Sequence, residues 1–143
     1  MCNYYHTNMP QRTAGPPARI LLVEDEVDLA RLVKLTLMRN GYEVSHAKEA
    51  ISAYRSFRRR PYDLLLLDLI LPGMPGLELL RLIRSESQVP ALLMSGRLTA
   101  PARALGLKLG AHDYLVKPFA VPALLSAVKS ALRQGEKTPT PRS

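Results

Sequence analysis

Four leucines at positions 64–67 lead without interruption into Asp68, and this junction constrains the fold more than any other stretch of the 143-residue chain. A continuous apolar run of strand length, with no polar alternation, belongs to a strand covered on both faces, as in a parallel sheet flanked by helices, and that strand is expected over 63–67. A carboxylate at the end of such a strand has to find a partner, because a lone buried ion is costly. Apolar runs of the same kind recur at 20–23, at 91–94 after Pro90, and at 114–116, and a further strand is expected at 42–46. Between them lie segments with helical spacing. Residues 25–40 carry Ala30, Val33 and Leu37 on one face, with Asn40-Gly41 as the stop. Further helices are predicted over 48–57, over 76–84 with Leu80 and Ile83 inward, and over 101–109, where Gly106 weakens the interior. The last helix has Pro122 in its first turn and Leu124, Val128 and Leu132 along its apolar face.

Five such strand–helix units imply a mostly parallel sheet with helices on both faces and right-handed crossovers. The expected fold is α/β, a flavodoxin-like (βα)5 doubly wound sheet with strand order 2-1-3-4-5. The ordered domain is expected to span 19–133, after a disordered leader at 1–18 and before a flexible tail or linker at 134–143. Met9 is an alternative start to Met1.

Several function classes are excluded early. The apolar runs are too short to span a bilayer, and the N-terminus lacks the apolar core of a secretory signal, so a cytoplasmic location is expected. The one cysteine, Cys2, excludes an internal disulfide. A net charge of +8 hints at an acidic partner or nucleic acid. However, the densest basic run, Arg58 to Arg60, precedes Pro61, where a helix should end and basic side chains suit the dipole. No aromatic residue interleaves with those arginines, so direct DNA binding is not expected. His6, His46 and His112 are too dispersed to suggest a transition-metal site.

In an open parallel sheet, ligands bind beyond the carboxyl ends of the strands. The residues there are Glu24 and Asp25 after the first strand, Asp68 after the third, Ser95 after the fourth, and Lys117 before Pro118 after the fifth. Three carboxylates, a hydroxyl and an ammonium thus converge on one cleft. Such carboxylates repel one another unless a hard cation such as Mg2+ neutralises them. A carboxylate beside that cation can attack a phosphoryl group and form an acyl phosphate, with Lys117 and Ser95 meeting the transferred oxygens.

The stretches ILLVEDE (20–26), DLLLLDLILPGMPGLELL (63–80), ALLMSG (91–96) and GAHDYLVKPF (110–119) together resemble the receiver domains of two-component response regulators. The resemblance implies Asp68 as phosphoacceptor, Glu24 and Asp25 as the acidic pair serving Mg2+, and Ile70 as a backbone-carbonyl ligand. It further implies Ser95 as the switch hydroxyl, Lys117 as the partner lysine, and Tyr114 as the aromatic residue that turns inward on activation. The implied partners are a sensor histidine kinase or phosphotransfer protein, and a downstream protein docking on the 97–133 face.

Departures from the family pattern are visible. Glu24 stands where aspartate is more usual, and Ser95 where threonine is. Ala123 and Ala127 occupy last-helix positions that often carry charges in dimerising relatives, so Arg103 and Asp113 are expected to lack their partners there. The chain is expected to be a stand-alone receiver or a fragment without an output domain. The role the resemblance implies is that of a phosphoacceptor switch, not an enzyme, with only self-phosphorylation and slow autodephosphorylation expected. A phosphatase is disfavoured because Ile70 replaces the second acid such an enzyme places two residues beyond its nucleophile. The alternative is a receiver-like binding module that is not phosphorylated.

Overall fold

The computed structural model describes residues 15–137; of the leader expected at 1–18 and the tail expected at 134–143, residues 1–14 and 138–143 lie outside the described residues. Five strands and five helices alternate. They are β1 (Arg19–Val23), α1 (Val27–Arg39), β2 (Glu43–Ala47), α2 (Ala50–Arg59) and β3 (Leu64–Asp68). Then follow α3 (Gly76–Arg84), β4 (Ala91–Ser95), α4 (Ala100–Lys108), β5 (Asp113–Val116) and α5 (Val121–Lys137). All strand pairs are parallel, and the order is β2-β1-β3-β4-β5, as expected.

The leucine runs are buried on both faces because successive side chains of a strand point to opposite sides. Ile20, Leu22, Leu64, Leu66, Leu92 and Met94 pack under α1 and α5 with Ala30, Val33, Leu37, Leu124 and Val128. Leu21, Val23, Leu65, Leu67 and Leu93 pack on the other side with Ala53, Leu79, Leu80 and Ile83 of α2 and α3. Each leucine at 64–67 is fully buried, a contribution of roughly 2 kcal/mol per side chain relative to exposure.

Most element boundaries differ from expectation by one or two residues, and those of the central strand and the last helix have a clear physical reason. The central strand was expected at 63–67 but begins at Leu64 and includes Asp68, paired with Met94 of β4. Asp63 lies outside it, where its carboxylate accepts the Arg19 amide at 2.8 Å. The last helix, expected to give way to a tail at Gln134, continues to Lys137. Ala131 stays buried against the sheet, and Gly135 sits so close to Pro90 that an added Cβ would lie 2.7 Å from its Cγ. Packing of that face outweighs the low helix propensity of glycine.

The arginine run falls as expected at a helix end, with Arg58 and Arg59 in the last turn of α2. A second arginine does more. Arg84, at the end of α3, donates from Nε to the Leu109 carbonyl at 2.6 Å and from a terminal nitrogen to Ser87 O at 3.2 Å. Its other terminal nitrogen reaches Gly110 O at 3.4 Å, so one guanidinium seals the end of α4. Burial pushes the Arg84 pKa down from its ordinary value. Among the described residues, no helix is long and apolar enough to cross a membrane.

Candidate functional site

The parallel sheet carries the ends of β1, β3, β4 and β5 to one edge, and the polar residues that terminate them meet there. Glu24 follows β1 and is fully buried; Asp68 ends β3 at 4% exposure. Oxygens of Glu24, Asp25 and Asp68 all lie within 4.8 Å of one another. Lys117, just past β5 and before a cis peptide bond to Pro118, reaches back into this cluster. Its ammonium stands 2.8 Å from Asp68 Oδ2, as donor, and 2.8 Å from Glu24 Oε1, as an ion pair.

Backbone amides complete the arrangement. Ile70 N donates to Asp68 Oδ1 at 3.1 Å, and Glu26 N donates to Glu24 Oε2 at 3.1 Å. Glu24 Oε1 is buried and has no aligned hydrogen-bond donor, so only the ammonium beside it compensates its charge. Burial accordingly pushes the Glu24 pKa above the ordinary glutamate value, although Lys117 and the Glu26 amide pull it down. Burial alone would lower the Lys117 pKa, but its bonds to Asp68 and Glu24 outweigh that and raise it.

One glycine permits this geometry. Gly76, the first residue of α3, lies against the β3 end so closely that a Cβ would overlap the Asp68 carbonyl and stand 2.8 Å from Leu69 Cα. The Gly76 amide donates to Leu69 O at 2.9 Å, tying the start of α3 to the loop that leaves Asp68. Ile70 occupies that loop and is 69% exposed.

The donor set suits a hard divalent cation. Three carboxylates facing one ammonium leave an excess of two negative charges when all are ionised. All the protein ligands available are oxygens, which Mg2+ prefers. Glu24, Asp25 and Asp68, with the Ile70 carbonyl on the adjoining loop, are the residues that would hold it.

The other expected residues are arranged differently. Ser95 is buried at the end of β4, but its hydroxyl is engaged with its own loop. It donates to Arg97 O at 2.8 Å and accepts from Arg97 N at 3.0 Å. Tyr114 lies half-buried on β5, and its hydroxyl donates to the Arg103 carbonyl on α4. Arg103 and Asp113, expected to lack charged partners on the last helix, both contact this tyrosine. The Arg103 guanidinium lies 5.3 Å from the Tyr114 ring centroid, and Asp113 Oδ1 accepts the Tyr114 amide at 2.8 Å.

Gly106 takes on a different meaning here. A Cβ at this position would overlap the Tyr114 hydroxyl and lie 2.8 Å from Leu93 Cδ1. The glycine that weakens α4 in the sequence is the notch into which Tyr114 fits. His46 was also missed: its Nε2 lies 2.7 Å from the Glu24 carbonyl. Only its position at the end of β2, next to the acidic turn after β1, could have pointed to it.

The profile of the response regulator receiver domain matches residues 20–129. The chain is 42% identical over 121 residues to an uncharacterized transcriptional regulatory protein, YkoG, of Bacillus subtilis, covering 83% of this chain and 53% of that one. It is 39% identical over 118 residues to SilR, a probable transcriptional regulatory protein of Salmonella typhimurium, covering 82% and 52% respectively. The chain thus spans about half the length of the curated relatives it matches. Among solved structures, a CheY-like receiver domain protein from Methanospirillum hungatei superposes with a TM-score of 0.82 at 29% identity, covering 86% of this chain and 99% of that one. The non-phosphorylated HemR receiver domain of Leptospira biflexa gives 0.77 at 33% identity, with 80% and 94% covered.

Proposed function

The chain belongs to the response-regulator receiver-domain family of two-component signalling, and from that premise we propose that Asp68 is its phosphoacceptor. The observation that carries this reading is the Glu24–Asp25–Asp68 cluster within 4.8 Å, with Lys117 bonded to the acceptor carboxylate. An Asp68 oxygen attacks the phosphorus of a phosphohistidine or a small phosphodonor in line; a P–O bond forms, the bond to the donor breaks, and the donor departs with the electron pair. Lys117 follows the charge onto a transferred oxygen. The Ser95 hydroxyl leaves its bonds to Arg97 and donates to another, which couples the phosphoryl group to the start of α4. Glu24, Asp25, Asp68 and the Ile70 carbonyl would hold Mg2+, which would supply the positive charge that lets a dianionic donor approach.

The same reading gives the partners. A sensor histidine kinase or phosphotransfer protein delivers the phosphoryl group in the cytoplasm. A downstream protein reads the 97–133 face, where α4 buries only Gly106 and is free to shift. Tyr114 is the residue on that face whose position reports the state of Ser95.

Incubation with acetyl phosphate and Mg2+, followed by intact-mass measurement, tests the proposal. Wild type gains one phosphoryl group; Asp68→Asn gains none, and chelation abolishes labelling of the wild type. Asp25→Ala reduces metal binding more than Glu24→Ala, because the Glu24 oxygens are already engaged by Glu26 N and Lys117. Labelling of Asp68→Asn at the wild-type level removes Asp68 from the reading.

A further inference from the structure

The backbone on which the acidic pair is mounted is held by a side chain outside the cluster. β1 and β2 run in parallel register from Arg19 opposite Glu43 to Val23 opposite Ala47. The ladder continues one bond further, from Glu24 N to the Ala47 carbonyl at 3.1 Å. In a continuing parallel ladder, the Glu24 carbonyl would next accept from the amide of Glu49. That residue has already turned away as the N-cap of α2. His46, one residue before the end of β2, supplies the donor instead, with Nε2 at 2.7 Å from Glu24 O. A carbonyl oxygen can only accept, so Nε2 carries the proton.

The peptide unit held in this way is the one joining Glu24 to Asp25. Its orientation sets where the Asp25 side chain leaves the backbone. Asp25 itself is exposed, so its own side chain has no packing to fix it. A carbonyl at a strand end that lacked this bond would be free to turn toward water, and the peptide plane would turn with it.

We propose that His46 is a positioning residue for the cation site: its Nε2–H bond to the Glu24 carbonyl fixes the Glu24–Asp25 peptide and thereby the geometry of the acidic pair. The inference rests on the metal-dependent reading of the cluster, and it assigns no ligand role to the imidazole. The bond strengthens cation binding by removing backbone freedom that Asp25 would otherwise lose on coordination.

Calorimetric titration of the purified full chain with MgCl2 tests this, with thermal unfolding measured on the same samples without metal. His46→Leu removes the donor while keeping an apolar group at a half-buried edge position; His46→Gln places an amide donor near the former Nε2. Mg2+ affinity is expected to fall by about tenfold in His46→Leu, the lower end of the range for groups that orient metal ligands, and to recover to within about twofold of wild type in His46→Gln. A purely structural histidine would lower the melting temperature of His46→Leu and leave its Mg2+ affinity at the wild-type value, which overturns the proposal. So does His46→Gln binding Mg2+ as weakly as His46→Leu. Absence of any Mg2+ binding by wild type would instead overturn the metal reading of the cluster, and the role of His46 with it.

Discussion

Substituting Gly106 by alanine sets two well-measured effects against each other. Gly106 lies inside α4, where alanine gains about 1 kcal/mol of helix stability. The added methyl, however, overlaps the Tyr114 hydroxyl and lies 2.8 Å from Cδ1 of the fully buried Leu93. Overpacking of this kind costs roughly 1–3 kcal/mol. Displacing Tyr114 also forfeits its hydrogen bond to Arg103 O, about 1 kcal/mol, and its contact with the Arg103 guanidinium, about 0.5 kcal/mol at an exposed site. The losses exceed the gain, so Gly106→Ala is expected to destabilise the domain by at least about 1.5 kcal/mol, or roughly 5 °C or more in melting temperature. The chain has no tryptophan, so urea unfolding is best followed by far-ultraviolet circular dichroism. Repeating the substitution in a Tyr114→Phe background isolates the cause. With the hydroxyl absent, Leu93 Cδ1 at 2.8 Å and the ring Cζ at 3.2 Å remain, but the hydrogen bond to Arg103 O is no longer at stake, so the cost of the alanine should fall by about 1 kcal/mol. An increase in stability on Gly106→Ala, or an equal loss in both backgrounds, refutes the argument that Tyr114 requires the notch.

Two further outcomes follow from the site. The raised Glu24 pKa means that the folded protein holds this proton to higher pH than the unfolded chain does, so ionised Glu24 detracts from stability above that window and acidification through it restores stability. Metal-free Glu24→Gln should therefore melt higher than wild type at neutral pH and lose that part of the stabilisation on mild acidification, while binding Mg2+ less tightly; calorimetric melting from pH 5 to 8 checks both signs. The lifetime of the phosphorylated form tests the residues near Asp68: exposed, apolar Ile70 cannot orient a hydrolytic water, and exposed Arg97, two residues past Ser95, is long enough to pair with the phosphoryl oxygens. Ile70→Asn and Arg97→Ala should each speed decay, and a change below about twofold in both, ~0.4 kcal/mol of barrier, defeats the shielding argument.

The parallel sheet and its site were legible because both follow from local signals with a general spatial rule. Unbroken apolar runs mark strands buried on both faces, and strand ends in a doubly wound sheet converge, so Glu24, Asp25, Asp68 and Lys117 could be placed together from order alone. The helix at 101–109 was found for the same reason, but the sequence could describe Gly106 only by its propensity.

Tertiary structure alone decided features that depend on distances between remote segments. Tyr114 is eight residues beyond Gly106, yet the helix-to-strand return brings its hydroxyl onto the glycine and beneath Arg103. Arg84 caps a helix that ends 25 residues later, measured to the carbonyl of Leu109. His46 reaches the Glu24 carbonyl across 22 residues because β2 turns away one peptide too early to complete its ladder. The Ser95 hydroxyl is fixed by the conformation of its own loop, which residue type does not specify. Hydrophobic periodicity and strand-end chemistry are written in each segment separately, whereas a hydrogen bond or a steric notch exists only once two segments share one place in space.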